Sequence, residues 1–124
     1  MKKFLPFILW TLIIFALCSM PGKAIPHISW LELLSFDKFV HASIFFTEQV
    51  LLMRALSSLN RNTFYGIIAL TFCVVYGGSL ELMQYYVFSS RSGDVFDFIA
   101  NSTGAFTGFL LFEKINKRLG FLPA

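Results

Sequence analysis

Four apolar stretches separated by short polar breaks constrain this sequence more than any other feature. They predict helices over about residues 4–20, 37–56, 64–88 and 94–115. Each is close to the roughly 20 residues that a helix needs to cross a bilayer. Charged residues make up only 14% of the chain, against about a quarter in soluble domains. We therefore predict an all-α membrane protein, a compact four-helix transmembrane bundle in which residues 1–124 form one domain.

The first apolar stretch also has features of a secretory signal peptide. Lys2 and Lys3 precede its apolar core, and Gly22-Lys23-Ala24 is the one candidate cleavage motif. We expect the stretch to be the first spanning helix, with cleavage as the alternative. A signal peptide also begins on the cytoplasmic side, so the orientation of the other helices would be the same.

The distribution of lysine and arginine predicts the orientation, because cytoplasmic loops of membrane proteins carry an excess of both. If the N-terminus lies in the cytoplasm, the inner segments hold Lys2, Lys3, Arg54, Arg61, Lys114, Lys117 and Arg118, and the outer segments hold Lys23, Lys38 and Arg91. This bias predicts that both termini face the cytoplasm. In the outer connection at residues 21–36, Trp30 among apolar neighbours suggests a short segment lying in the membrane interface.

Ionisable and amide residues inside the predicted helices are the main functional signal, because charge in a membrane is costly. In the second helix, Asp37, His41 and Glu48 share one face at spacings of four and seven residues. In the third helix, Glu81 and Gln84 share a face. The rise of a helix places His41 and Glu81 within roughly 5–10 Å of the outer membrane face. Glu48 lies deeper, and the sequence offers no explanation for it.

A continuous stripe on the fourth helix contains Asp94, Asp97, Asn101, Gly104 and Gly108. Its outer half is acidic and amide, and its inner half is a GxxxG pattern that allows two helix backbones to approach closely. Asp94 also has the simpler interpretation of an N-terminal helix cap. The small residues that we expect at close helix contacts are Gly77, Gly104 and Gly108.

Polar groups from three helices therefore reach a similar depth near the outer end of the bundle. We predict a polar pocket there, with the alternative that these groups only form hydrogen bonds that hold the helices together. The candidate ligand-binding residues are Asp37, Lys38, His41, Glu81, Gln84, Arg91, Asp94, Asp97 and Asn101.

The order and spacing of these motifs resemble the VanZ-like family of bacterial membrane proteins. The resemblance covers the second to fourth helices and implies a small multi-pass protein of the bacterial cytoplasmic membrane. The founding member of the family is associated with low-level resistance to the lipoglycopeptide teicoplanin. The family implies no established reaction or ligand. The motifs are Asp37-Lys38-x-x-His41, Glu81-x-x-Gln84 and Arg91-x-x-Asp94-x-x-Asp97-x-x-x-Asn101-x-x-Gly104-x-x-x-Gly108.

We favour a membrane protein that binds envelope lipids or modulates susceptibility to glycopeptide antibiotics. The predicted pocket opens where lipid head groups, cell-wall precursor lipids and lipoglycopeptides lie. Lys38 and Arg91 are suited to phosphate. His41, Glu81 and Asp97 are suited to sugar or peptide groups.

Two other classes of function remain open. A membrane-embedded enzyme acting on a lipid-linked substrate would use His41 as general acid or base, with Glu81 or Asp97 as its partner, although no nucleophile is evident. A structural or interaction protein would use the same residues only to hold helices together. A metal site of His41, Glu81, Asp94 and Asp97 would fit oxygen-preferring divalent cations better than zinc, but we expect no metal.

We also expect no cofactor, and the lack of a basic run argues against a nucleic-acid partner. The oligomeric state stays open, because the GxxxG pattern of the fourth helix could pack within one bundle or between two copies.

Overall fold

In the computed structural model, residues 2–19, 30–59, 64–86 and 95–119 are described, and this part of the chain forms four α-helices without a strand. The helices are α1 (Leu5–Ser19), α2 (Trp30–Leu59), α3 (Tyr65–Tyr86) and α4 (Val95–Leu119). The predicted all-α fold with four helices is confirmed.

The start of α2 differs from the sequence prediction. The helix begins at Trp30, seven residues before the predicted start at Asp37. Residues 30–36 continue directly into α2, and a position of Trp30 in the membrane interface stays a prediction. The segment contains leucines and no proline or glycine, so nothing in it stops the helix from propagating.

Three of the four helices are long and apolar enough to cross a membrane. These spans are Lys38–Leu59, Tyr65–Tyr86 and Val95–Arg118. The apolar helix α1 has 15 residues. Its length is therefore about 22 Å, against about 30 Å for the hydrocarbon core of a bilayer. Large apolar side chains on all four helices face outward, as lipid contact requires, among them Leu12, Phe39, Ile68 and Leu110.

Among the glycines of the described helices, Gly104 of α4 lies closest to a neighbouring backbone, that of α2. A Cβ atom added at Gly104 would lie 2.7 Å from the carbonyl carbon of Ala42 and 2.8 Å from its Cα atom. One added at Gly108 would lie 3.0 Å from the carbonyl oxygen of Phe46. The GxxxG pattern of α4 therefore packs against α2 of the same chain, and it brings the two backbones together directly below the polar residues of α4.

The helix α1 is an integral part of this bundle. All four helices contribute to one buried cluster that contains Ile14, Phe45, Cys73, Leu80 and Ala105. Two hydrogen bonds also join α1 to its neighbours. Trp10 Nε1 donates to the carbonyl of Ile44 at 3.0 Å, and the Tyr76 hydroxyl donates to the carbonyl of Thr11 at 2.8 Å.

Candidate functional site

Three helices bring a histidine and two carboxylates together near one end of the bundle. His41 comes from α2, Glu81 from α3 and Asp97 from α4, and one nitrogen or oxygen atom of each lies within 4.8 Å of the others. Glu81 is buried, with 8% of its surface exposed. These three side chains, which the sequence analysis placed at one depth, lie together in the structure. With two further residues described next, we call them the polar cluster: Lys38, His41, Glu81, Asp97 and Asn101.

An ion pair joins α2 to α4 in the polar cluster. Lys38 Nζ donates to Asp97 Oδ1, and the two side chains are 26% and 12% exposed. Asp97 also lies in the first turn of α4, where the helix dipole stabilises a negative charge by about 0.3–1 kcal/mol. The carboxylate of Asp97 is therefore balanced by a lysine from one side and by the helix terminus from the other.

His41 is held between two residues of α4. Its Nδ1 atom lies 2.9 Å from Asn101 Oδ1, and its Nε2 atom lies 3.8 Å from Asp97 Oδ2. Asp97 and Asn101 are four residues apart and so lie on one face of the helix. With Asn101 Oδ1 as the acceptor, Nδ1 carries the proton, and Nε2 is the atom that can accept a proton or a ligand.

Gly77 of α3 makes room for this contact. A Cβ atom added at Gly77 would lie 3.3 Å from Phe45 Cε1 and 3.4 Å from Asn101 Cβ. Asn101 therefore lies directly against the backbone of α3, one helical turn below Glu81. The small residue at this position allows α3 to bring Glu81 to the same level as His41 and Asp97.

Gln84 forms a hydrogen bond to α1, and its role as a ligand-binding residue stays a prediction. Its buried side chain donates from Nε2 to the carbonyl of Cys18 at 3.1 Å. Cys18 lies in the last turn of α1, where backbone carbonyls have no partner within the helix. The side chain of Gln84 thus bonds to the end of α1, as the alternative of a hydrogen bond between helices anticipated.

A protein-family model described as VanZ/LLP1 matches residues 4–116 of the sequence. The chain belongs to the VanZ/LLP1 family. The resemblance predicted from the spaced polar motifs is confirmed, and the match also includes α1. Family membership and the three apolar helices together make the chain a membrane protein. No curated protein and no solved structure matched the sequence.

Three of the predicted site residues of this VanZ/LLP1 protein cannot be placed in the polar cluster. Asp37 lies in α2, but its side chain is outside the described part of the chain, and Arg91 and Asp94 lie outside the described residues. Thr11, which lies against the buried Glu48, was not among the predicted residues. The contact could have been suspected from the sequence, because Thr11 is a hydroxyl residue in the apolar middle of α1.

The polar cluster of the VanZ/LLP1 protein offers one nitrogen and two carboxylates that could act as metal ligands, a set suited to oxygen-preferring divalent cations. Opposite ligands of an octahedral Mg²⁺ ion lie about 4.2 Å apart. The ligand atoms of His41, Glu81 and Asp97 are up to 4.8 Å apart, so they would have to move slightly closer to bind this ion. The Lys38 ammonium group already pairs with Asp97. A metal ion would therefore compete with a cation that belongs to the protein.

Proposed function

We propose that this VanZ/LLP1 protein is a multi-pass protein of the bacterial cytoplasmic membrane that binds the head group of an envelope lipid. The observation that carries the proposal is the meeting of both charge signs and a histidine from three helices at one level. Hydrogen bonds that only hold helices together do not require such a combination. An ionisable group within a membrane helix is also a functional candidate by default.

The depth of the polar cluster supports a ligand at the level of lipid head groups. Lys38 is the first residue of its apolar span, and Asp97 lies two residues after the start of the α4 span at Val95. Glu81 lies five residues, or about 8 Å, from the end of α3. With the orientation predicted from the basic residues, this level corresponds to the outer leaflet.

The chemistry of the polar cluster favours a ligand that donates hydrogen bonds. Lys38 is engaged with Asp97, so a phosphate group could bind Lys38 only by displacing a carboxylate. Glu81 and Asp97 instead provide acceptor oxygens for the hydroxyl groups of a sugar or the amino groups of a peptide. Cell-wall precursor lipids and lipoglycopeptides carry such groups, and binding either one would alter susceptibility to glycopeptide antibiotics.

Mass spectrometry of the lipids that copurify with the protein tests this proposal. We expect one class of envelope lipid to be enriched with the wild type and lost with His41→Ala and Asp97→Asn. Thr103→Ala is the matched control on α4, because Thr103 is exposed and donates only to the carbonyl of Ile99 in its own helix. Identical lipid profiles for folded wild type and His41→Ala would exclude the proposed site.

A second candidate function is catalysis on a lipid-linked substrate. The contact between His41 Nδ1 and Asn101 favours it, because it fixes the ring and leaves Nε2 as a general base beside Asp97. The two functions differ in the fate of the lipid. An enzyme would convert a labelled envelope lipid into a new product, whereas a binding protein would retain it unchanged.

A further inference from the structure

Glu48 is a second polar feature of the bundle and lies apart from the polar cluster. It is fully buried. It lies ten residues, or about 15 Å along the helix, from Lys38 at the start of the α2 span. This position is close to the middle of the 22-residue span Lys38–Leu59. Neither the family match nor the proposed function explains an acidic residue at this depth.

The contact between Glu48 and Thr11 limits which of the two side chains can donate a hydrogen. Thr11 Oγ1 lies 2.7 Å from Glu48 Oε1 and 2.8 Å from the carbonyl oxygen of Phe7. A hydroxyl group has one hydrogen, so Thr11 can donate to only one of these two oxygens. If Thr11 donates to Phe7, the hydrogen in the contact with Glu48 must belong to Glu48.

The other threonines in the described helices indicate which oxygen Thr11 selects. A threonine inside a helix commonly donates to the carbonyl four residues earlier, and Phe7 is that residue for Thr11. Four other threonines make this bond at 2.8–3.0 Å: Thr47, Thr71, Thr103 and Thr107. Thr11 makes the same contact to the carbonyl four residues earlier. If it donates there, its oxygen can take part in the contact with Glu48 only as the acceptor.

The second oxygen of Glu48 supports the same assignment. Glu48 Oε2 is buried and has no hydrogen-bond partner within the described part of the chain. A buried charged oxygen without a donor is far more costly than the carbonyl oxygen of a neutral acid. The environment therefore favours a neutral carboxylic acid whose carbonyl is the unbonded oxygen.

Within the described helices, Thr11 is the one hydrogen-bond partner of Glu48, and no ion pair to Glu48 is present. Its titratable neighbours are Cys73 and Tyr76 of α3, which interact with it electrostatically. The Tyr76 hydroxyl donates to the backbone carbonyl of Thr11, and Trp10 of α1 donates to the backbone of α2. The buried residue that α4 adds to the surrounding core cluster is an alanine.

We propose that Glu48 is a proton-binding site in the middle of the membrane span. Its carboxyl group is neutral, and its hydrogen is donated to Thr11 Oγ1. The bound proton completes a continuous chain of hydrogen bonds from Glu48 through Thr11 to Phe7, which connects α2 to α1. Without the proton, Thr11 would have to donate to the Glu48 carboxylate and give up its bond to Phe7. The second oxygen of Glu48 would then share a buried charge without a donor, so packing of α1 against α2 is favoured by proton binding.

Infrared spectroscopy of the purified full-length protein in dodecyl maltoside, a detergent without ester carbonyl groups, tests this site. The difference spectrum of wild type minus Glu48→Gln should contain the C=O band of a protonated carboxylic acid, and this band should shift in D₂O. Glu113→Gln is the matched control, because Glu113 is exposed and accepts from the Tyr65 hydroxyl. Its difference spectrum should contain carboxylate bands instead.

Thr11→Val provides a second measurement that leaves Glu48 in place. Removing the acceptor weakens the hydrogen bond of the acid, so the C=O band should shift to higher frequency. The proposal is wrong if Glu48→Gln removes carboxylate bands, as Glu113→Gln does, or if the acid band is the same in Thr11→Val and wild type. Both substitutions lie outside the polar cluster, so a failure of head-group binding leaves this test unaffected.

Discussion

Gly104→Ala is the substitution for which the structure predicts the largest effect per added atom. The added Cβ would meet the backbone of Ala42 on α2, at 2.7 Å from its carbonyl carbon. A backbone cannot rotate away as the end of a flexible side chain can. The helices α2 and α4 must therefore separate.

The size of the separation follows from the distances. The nearest atom to the added Cβ is the Ala42 carbonyl oxygen, which lies closer than the carbonyl carbon at 2.7 Å. Restoring an ordinary contact of at least 3.4 Å therefore moves α4 from α2 by more than 0.7 Å. Overpacking of this kind costs about 1–3 kcal/mol. We expect Gly104→Ala to be at the upper end of this range, because the added Cβ meets backbone atoms, which cannot rotate away. The same movement lengthens the 2.9 Å contact between His41 and Asn101 beyond hydrogen-bond range, at about 1 kcal/mol. We expect a total loss of about 3–4 kcal/mol.

Equilibrium unfolding in mixed detergent micelles, followed by circular dichroism, measures this loss. Gly108→Ala is the matched control, because its Cβ would lie 3.0 Å from the Phe46 carbonyl and requires a shift of only a few tenths of an ångström, which we expect to cost about 1 kcal/mol. Nitrogen NMR of His41 in a His27→Ala background, which leaves a single histidine, reports loss of the Nδ1 contact. If Gly104→Ala is as stable as Gly108→Ala, the close packing of α2 on α4 is wrong.

Three further predictions concern the contacts between helices. Gln84→Leu should lower the free energy of unfolding by about 1 kcal/mol, because the carbonyl of Cys18 loses its donor; equal stability in the same unfolding assay would contradict this bond. Lys38→Met should cost about 1–3 kcal/mol by removing the ammonium group that pairs with the mostly buried Asp97, and adding Asp97→Asn should recover part of the loss in a double-mutant cycle. We also expect the mature protein to retain α1, since that helix contributes Ile14 to the core, and an intact mass showing cleavage after Ala24 would refute this.

The sequence could predict which residues share a level, because the rise of a helix converts position into depth. His41, Glu81 and Asp97 were placed together on this basis, and the structure brings them within reach of one another. Depth does not determine which helix is the neighbour, however. The partner of Gln84 could not be predicted for this reason. A side chain at the depth of Gln84 could contact either α1 or the polar cluster.

The partner of Glu48 was missed for a related reason. Periodicity placed it correctly on the face of His41 and at a greater depth, but Thr11 lies on a helix with almost uniform hydrophobicity. Such a helix has no polar face that indicates how it is rotated. Only the packing of Trp10 and Ile14 against the other helices determines that Thr11 faces Glu48.

The contacts of α1 connect the two polar levels of this VanZ/LLP1 protein. Its middle meets the buried acid Glu48 through Thr11, and its last turn accepts from Gln84, one turn from Glu81. Glu48 itself lies two helical turns below His41 on the same face of α2. A charge on Glu48 would disfavour close packing of the middle of α1 against α2. If α1 moved away at that point, its last turn would move as well, because a helix is rigid. If Glu48 binds a proton as proposed, the neutral acid should favour the position of α1 in which its last turn accepts from Gln84 of α3.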